Sequence, residues 1–323
     1  MGTLGGIISH AQTELPVVDL RGLNQSKLHT KAWDIAQREL IRALQSYGGV
    51  ELIYDQIEPE IRDGLLDRAV PELFAENVAT DRPKPPPLPY HGVYMYREGF
   101  PYFSIQLANL SSLASVEEYA NTIWPQGNPY FSNVVWNYAV YMQELIRMIH
   151  RMILEGLGLG HKYESFIKSL ANSIRLSKYH DDISSNETKV ALPPHKDPNY
   201  LSIIDQRKMD GLEVEGSDGK WLRVSPMPNS FIVLLGEAMM AWSNGRLKAS
   251  NHRVQMDVSK ERYVVIYGSL PSQSNDLVSS PMELTDKEHP TMYKPFKYYD
   301  YLKFRFSNEE DTHKDTLKAF CGA

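Results

Sequence analysis

Hydrophobic positions in the first half of the chain recur at helical spacing. Between Lys27 and Ser46 the residues Trp33, Ala36, Leu40 and Leu44 share one face, and Gly48-Gly49 ends the run. A second helix is predicted from Glu58 to Phe74. The longest stripe, Phe131, Val135, Tyr138, Met142, Leu145, Ile149 and Met152, predicts a single helix from Pro129 to Gly156 packed against a sheet. The segment Asp81 to Pro89 is too rich in proline for a helix or an inner strand. It is read as an extended surface loop at the mouth of a site.

After about Ser173 the texture changes to short β-rich runs separated by polar turns. These are Ile174–Tyr179, Leu201–Ile204, Leu212–Val214, Trp221–Val224, Ser230–Leu235 and Arg262–Tyr267. Such spacing suits a barrel or sandwich. The tail turns helical again over Tyr298–Phe306 and Lys314–Phe320. The expected organisation is therefore α+β: a mainly helical N-terminal region over 1–172, a β core over 173–297 and a C-terminal helical cap over 298–323.

Composition narrows the picture only slightly. A chain of 323 residues, 42% hydrophobic and 23% charged, can bury a full core. Its net charge of −6 argues against nucleic acid or an anionic membrane as a partner. The lone cysteine, Cys321, allows no intrachain disulfide and suits a reducing compartment. No membrane span or signal peptide is apparent. A cytoplasmic monomer acting on a small molecule is expected.

Three His-x-Asp triplets occur: His180-Asp181-Asp182, His195-Lys196-Asp197 and His313-Lys314-Asp315. Context separates them. The second lies between the apolar run Val190-Ala191-Leu192 and the predicted strand at Leu201, so His195 and Asp197 could face one way as strand positions i and i+2. His252 opens another predicted strand. Two imidazoles and a carboxylate occupy one face of a metal and leave positions open, which suits Fe(II) holding a chelating co-substrate and O2. The first triplet reads as a surface turn and the third as a solvated face. His91, His150, His161 and His289 have no partner pattern and read as ordinary structural residues.

Arg262 opens the strand after His252. A buried arginine needs an anion, and its planar guanidinium matches a carboxylate. A dicarboxylate bound to iron at its keto-acid end would present its far carboxylate there; a salt bridge to a protein acid is the plainer alternative.

These residues, with Tyr47-Gly48-Gly49-Val50-Glu51, Gly211-Leu212-Glu213-Val214, Asp218-Gly219-Lys220-Trp221, Asn244-Gly245-Arg246-Leu247 and Val278-Ser279-Ser280-Pro281-Met282-Glu283-Leu284, carry a resemblance to the plant Fe(II)/2-oxoglutarate-dependent dioxygenases. The resemblance runs nearly end to end. More narrowly, the chain resembles the alkenyl- and hydroxyalkyl-producing dioxygenases of glucosinolate metabolism. It implies a double-stranded β-helix (jelly-roll) core wrapped by helices, with His195, Asp197 and His252 as iron ligands and Arg262 and Tyr179 at 2-oxoglutarate. It further implies O2 as oxidant, succinate and CO2 as products, and ascorbate as a supporting reductant. The reaction would be hydroxylation, desaturation or demethylation of a small specialised metabolite.

The chain departs from the family pattern Arg-x-Ser at Val264, which has no hydroxyl for the carboxylate. A hydrogen bond to a charged group is worth roughly 1.5–3 kcal/mol, so weaker 2-oxoglutarate binding is predicted. Lys196 stands where the family usually has Thr, Ser177 where many members have Asn, and Pro193-Pro194 where the approach to His195 is more flexible. Two other readings remain open: an iron- or ligand-binding relative without turnover, suggested by Val264, and a zinc hydrolase, which would lack a second acid and leave Arg262 idle. Family analogy places Tyr90, His91, Tyr94, Phe103, Tyr200, Met239, Trp242 and Phe304 around the substrate, favouring an apolar or ring-bearing molecule.

Overall fold

The computed structural model describes residues 14–75, 94–96, 102–108, 110–179, 188–207, 210–257, 261–307 and 315–323. The proline-rich segment 81–89 and the triplets at His180 and His313 lie outside them, as do Tyr90 and His91.

The first helix, α1 (Lys31–Tyr47), starts where the Thr30 side chain accepts from the Trp33 amide and stops at Gly48, whose φ is 66°. A side chain at Gly48 would also strike the Lys248 carbonyl, at 2.5 Å, so both backbone shape and space demand glycine. The predicted second helix is broken into α2 (Pro59–Gly64), a π turn over Leu65–Ala69, and α3 (Val70–Leu73). Pro71 explains the break, because proline lacks an N–H and its ring crowds the carbonyl one turn back, inside the π segment. Next come α4 (Leu113–Ile123) and the long helix α5 (Pro129–Gly156), which has the bounds its stripe predicts and an Asn128 cap on the Phe131 amide. Four short helices follow: α6 (Tyr163–Lys168), α7 (Glu237–Trp242), α8 (Tyr298–Arg305) and α9 (Thr316–Cys321).

The strands are β1 (Val17–Asp19), β2 (Gly49–Ile53), β3 (Tyr94–Tyr96), β4 (Tyr102–Ala108), β5 (Leu170–Tyr179), β6 (Thr188–His195), β7 (Leu201–Asp205), β8 (Leu212–Glu215), β9 (Trp221–Arg223), β10 (Ser230–Leu235), β11 (His252–Asp257), β12 (Arg262–Pro271), β13 (Leu277–Val278) and β14 (Phe296–Lys297). A large sheet has the order β1-β2-β10-β7-β12-β5-β4-β3, and a smaller one β6-β11-β8-β9. Four strands of the large sheet come from the N-terminal region read above as helical. They are short and without clear alternation, and what makes them strands is pairing with distant partners, as β2 does with β10.

Alternation along the strands divides the core in two. On β12, Val265 and Tyr267 turn outward and pack with Phe131, Tyr138 and Ile149 of α5. Val264 and Ile266 turn inward, where they meet Ala191, Val214 and Val254 from the small sheet. The inner cluster is the smaller, and polar side chains fill the rest of that interior.

Two buried ion pairs tie helices to this frame. Arg62 donates to both carboxylate oxygens of Asp205 at 2.9 and 2.7 Å, and Tyr138 donates to the same group at 3.2 Å. Glu237 accepts from Arg305 and Tyr301 on α8. Among the described residues, no helix is long and apolar enough to cross a membrane.

Candidate metal centre

His195 is the last residue of β6, and β11 places His252 directly opposite it. The two rings lie 4.2 Å apart, centroid to centroid. Asp197 differs from expectation: it lies beyond the strand, in the turn before β7, so strand alternation does not aim it. Packing does. The Asp197 carbonyl accepts from the Glu237 amide at 2.8 Å, and a side chain at Gly236 would collide with the carbonyls of Asn199 (2.2 Å) and Asp197 (2.7 Å). Arg305 donates to the Lys196 carbonyl at 2.9 Å, so α8 braces the backbone between His195 and Asp197. Lys196 thus contributes through its backbone carbonyl.

Each candidate ligand is oriented by a neighbour. Nδ1 of His195 donates to the Pro193 carbonyl at 2.9 Å and Nδ1 of His252 to the Ser250 carbonyl at 3.2 Å, which leaves the Nε2 lone pairs for a metal. Ser202 donates to Oδ2 of Asp197 at 2.6 Å, while Oδ1 lies 3.8 Å from Nε2 of His195. One donor atom from each of the three residues falls within 4.8 Å of the others, the one such set among the described residues. Burial, then the neighbouring His252, holds the His195 imidazolium well below its ordinary range, so the ring is neutral at pH 7. Burial pushes the Asp197 carboxyl up, but His252, His195, Arg175 and the Ser202 bond outweigh it and keep the group ionised. Two neutral imidazoles and one carboxylate fit a divalent cation that keeps open positions.

Arg262 is 1% exposed. Its Nη2 donates to the Gln206 amide oxygen at 2.6 Å, and its Cζ lies 4.8 Å from the Tyr179 ring centre, directly across from it in the β5–β12 pairing. Nε and Nη1 are buried with no hydrogen-bond partner. Orphaned donors on a buried cation are costly, and an acidic ligand is what would relieve them. Val264, which has no hydroxyl, is buried and pairs with Ser177, whose Oγ lies 3.4 Å from the Tyr102 hydroxyl and donates to Ser104 at 3.4 Å.

The candidate substrate residues are scattered. Met239 and Trp242 pack in the outer core, and Tyr200 and Trp242 stack on Phe166 at 5.1 and 4.8 Å. Phe103 also packs outward, since alternation turns it away from its neighbours Tyr102 and Ser104. Phe304 stacks on Phe320 at 5.2 Å. The backbone of Tyr94 is in β3, and its side chain is outside the described residues. A small cleft of about 30 Å³ opens beside Asp197, with Gln106, Arg175 and Ser173 on its wall. Arg175 escaped the sequence reading, although it shares the inward row of β5 with Ser177 and Tyr179, a spacing that could have exposed it. His150, His161 and His289 make ordinary contacts, with Ser269, Glu283 and Asp286.

Residues 171–270 match the model of the 2OG-Fe(II) oxygenase superfamily, a span that contains every candidate ligand. The chain is 33% identical over 312 residues to a probable 2-oxoglutarate-dependent dioxygenase, AOP1.2 of Arabidopsis thaliana, covering 95% of both chains. A probable inactive 2-oxoglutarate-dependent dioxygenase of the same plant, AOP2, is 25% identical, with 95% of this chain and 97% of that one covered. The crystal structure of a rice dioxygenase for auxin oxidation superposes with a TM-score of 0.80 at 25% identity, covering 96% of this chain and 100% of the other.

Proposed function

The chain belongs to the plant 2-oxoglutarate-dependent dioxygenases, and from that premise we propose that His195, Asp197 and His252 hold the iron and that Arg262 holds the far carboxylate of 2-oxoglutarate. The enzyme is an oxidoreductase that needs Fe(II) and 2-oxoglutarate. When bound, iron supplies dioxygen activation coupled to decarboxylation of 2-oxoglutarate to succinate and CO2.

The residues do the rest. Pro193 and Ser250 fix the imidazole tautomers, and Ser202 fixes the carboxylate rotamer. The buried Arg262, stacked on Tyr179, selects a diacid over a monoacid by satisfying its two orphaned donors. The substrate is a small metabolite with a ring or apolar body, oxidised by hydroxylation, desaturation or demethylation. The buried thiol of Cys321 and the absence of a second cysteine support a reducing cytoplasm as the place of action.

The observation that carries this reading is the pairing of an oriented His/Asp/His set with a buried arginine lacking anion partners. Anaerobic protein given Fe(II) and then 2-oxoglutarate should develop a visible charge-transfer band, and on admitting O2 should form succinate. His252→Ala should abolish the band. Arg262→Gln should require about a hundredfold more 2-oxoglutarate to reach it. No band and no succinate in the native protein would end the proposal.

One observation favours a second reading, a relative with weakened co-substrate binding. Val264 offers no hydroxyl, and a relative 25% identical to this chain is named probable inactive.

A further inference from the structure

Strand β7 carries an inward row of side chains that runs from the candidate metal ligands to Arg262. Ser202 donates to Asp197, and Ile204, two residues on, lies in the inner apolar cluster. Two further along, just past the strand, comes Gln206, which is 2% exposed. Its amide oxygen accepts the 2.6 Å bond from Nη2 of Arg262, and its amide nitrogen donates to the Val224 carbonyl at 3.5 Å. A guanidinium can only donate, so the oxygen is the end that must face it.

The register keeps an acid out of that place. Asp205, one residue earlier, is fully buried, but alternation turns it to the other face, where Arg62 takes both its oxygens. The chain is fixed there by Arg207, which has a φ of 51° and pairs with Asp63 and Asp67. Asp210 is the acid whose charge reaches Arg262, and it is paired with Arg223 at 3.1 Å. Arg262 is therefore held by a neutral oxygen, while its Nε and Nη1 have no partner among the described residues. A carboxylate in place of that amide would pair with the guanidinium, and an incoming anion would have to compete with it.

We propose that Gln206 is a positioning and specificity residue for the co-substrate. It fixes the direction of Arg262 and, being neutral, leaves the guanidinium charge for the far carboxylate of a diacid. The inference rests on the reading that Arg262 holds 2-oxoglutarate. It deepens that reading by making the choice of a diacid depend on a residue that acts through the arginine.

2-Oxovalerate has the keto-acid end and the chain length of 2-oxoglutarate, with a methyl group in place of the far carboxylate. Anaerobic protein loaded with Mn(II) is titrated calorimetrically with each. The native protein should bind the diacid at least about tenfold tighter, in line with a charge-assisted hydrogen bond. In Gln206→Glu, which keeps the size of the side chain, that lead should vanish through loss of 2-oxoglutarate affinity alone. Affinity for 2-oxovalerate and the Tm of the ligand-free protein should hold. Gln206→Met, neutral but without an acceptor, should keep part of the lead. A residue that only fills space would give the reverse order, because Glu matches the shape of Gln more closely than Met does.

That reverse order, a loss shared equally by both keto acids, or a lead undiminished in Gln206→Glu overturns the proposal. Gln206→Met carries the test if Gln206→Glu does not fold, since an undiminished lead there overturns it equally. A native protein that binds neither keto acid, or both alike, sinks the reading of Arg262 itself, and the inference falls with it. A native lead that the variants leave intact sinks the inference alone.

Discussion

Val264 shows how one side chain can be compensated by its neighbours across the sheet. It follows Arg262 in the position where the related pattern has serine, and it is 1% exposed. Pairing sets Ser177 opposite it on β5 and Ser104 one strand further on β4. With the Tyr102 hydroxyl these make a buried row of hydroxyls beside Arg262. If that row replaces the missing serine, Ser177→Ala should weaken 2-oxoglutarate about tenfold, read by anaerobic calorimetry on the Mn(II) form, and Val264→Ser should gain little. The reverse pattern, a large gain from Val264→Ser and none lost from Ser177→Ala, would favour the weakened relative. The residue scale is also where sequence reading was least complete. Ser177 stood out only as a departure from a pattern, and its neighbours on β4 did not stand out.

At the scale of elements, the long helix α5 is joined to the large sheet by a histidine that cannot charge in place. His150 is fully buried, and its Nε2 lies 2.8 Å from the Ser269 hydroxyl on β12. Burial lowers its pKa from 6.5 to about 3. The unfolded chain takes up that proton first, so stability is intact above pH 6.5 and falls as pH drops from there toward 3. By pH 5 the loss from this group alone comes to about 2 kcal/mol. His150→Gln should lower stability at pH 7 through the altered packing, yet flatten its decline between pH 7 and 5 in urea titrations. An unchanged slope would show that other groups carry the acid sensitivity. The helix itself was readable from its stripe to the residue, because a strong apolar period needs no distant partner to be recognised. The strands β1, β2 and β4 were not, because short buried runs acquire their conformation from the ladder they join.

For the whole molecule, the candidate site spans both sheets. His195 and His252 are on the small sheet, and Arg262 and Tyr179 are on the large one. Iron and 2-oxoglutarate together would therefore bridge the two layers and bind only the folded protein. At a hundredfold excess over Kd, a ligand adds about 2.7 kcal/mol, on the order of 5 °C in Tm for a chain of this size. Scanning calorimetry under argon should show one increment for the metal and a second for 2-oxoglutarate, with Arg262→Gln losing only the second. A single increment that Arg262→Gln leaves intact would mean that 2-oxoglutarate does not reach the arginine.

The sequence alone determined the chemistry on offer: two imidazoles, a carboxylate and an arginine at strand edges, a long amphipathic helix, and a β-rich second half. Those features are local, or repeat with a fixed period, and their residue types carry the meaning. Tertiary structure decided which of several histidines meet, because the register of β6 on β11 sets His195 against His252 while Gly236 and Arg305 hold the turn that delivers Asp197. It also decided what the interior contains. Side-chain alternation sent Phe103 outward to the helices and turned Arg175 into the cleft, and no pattern of hydrophobicity records which face of a strand will become the inside.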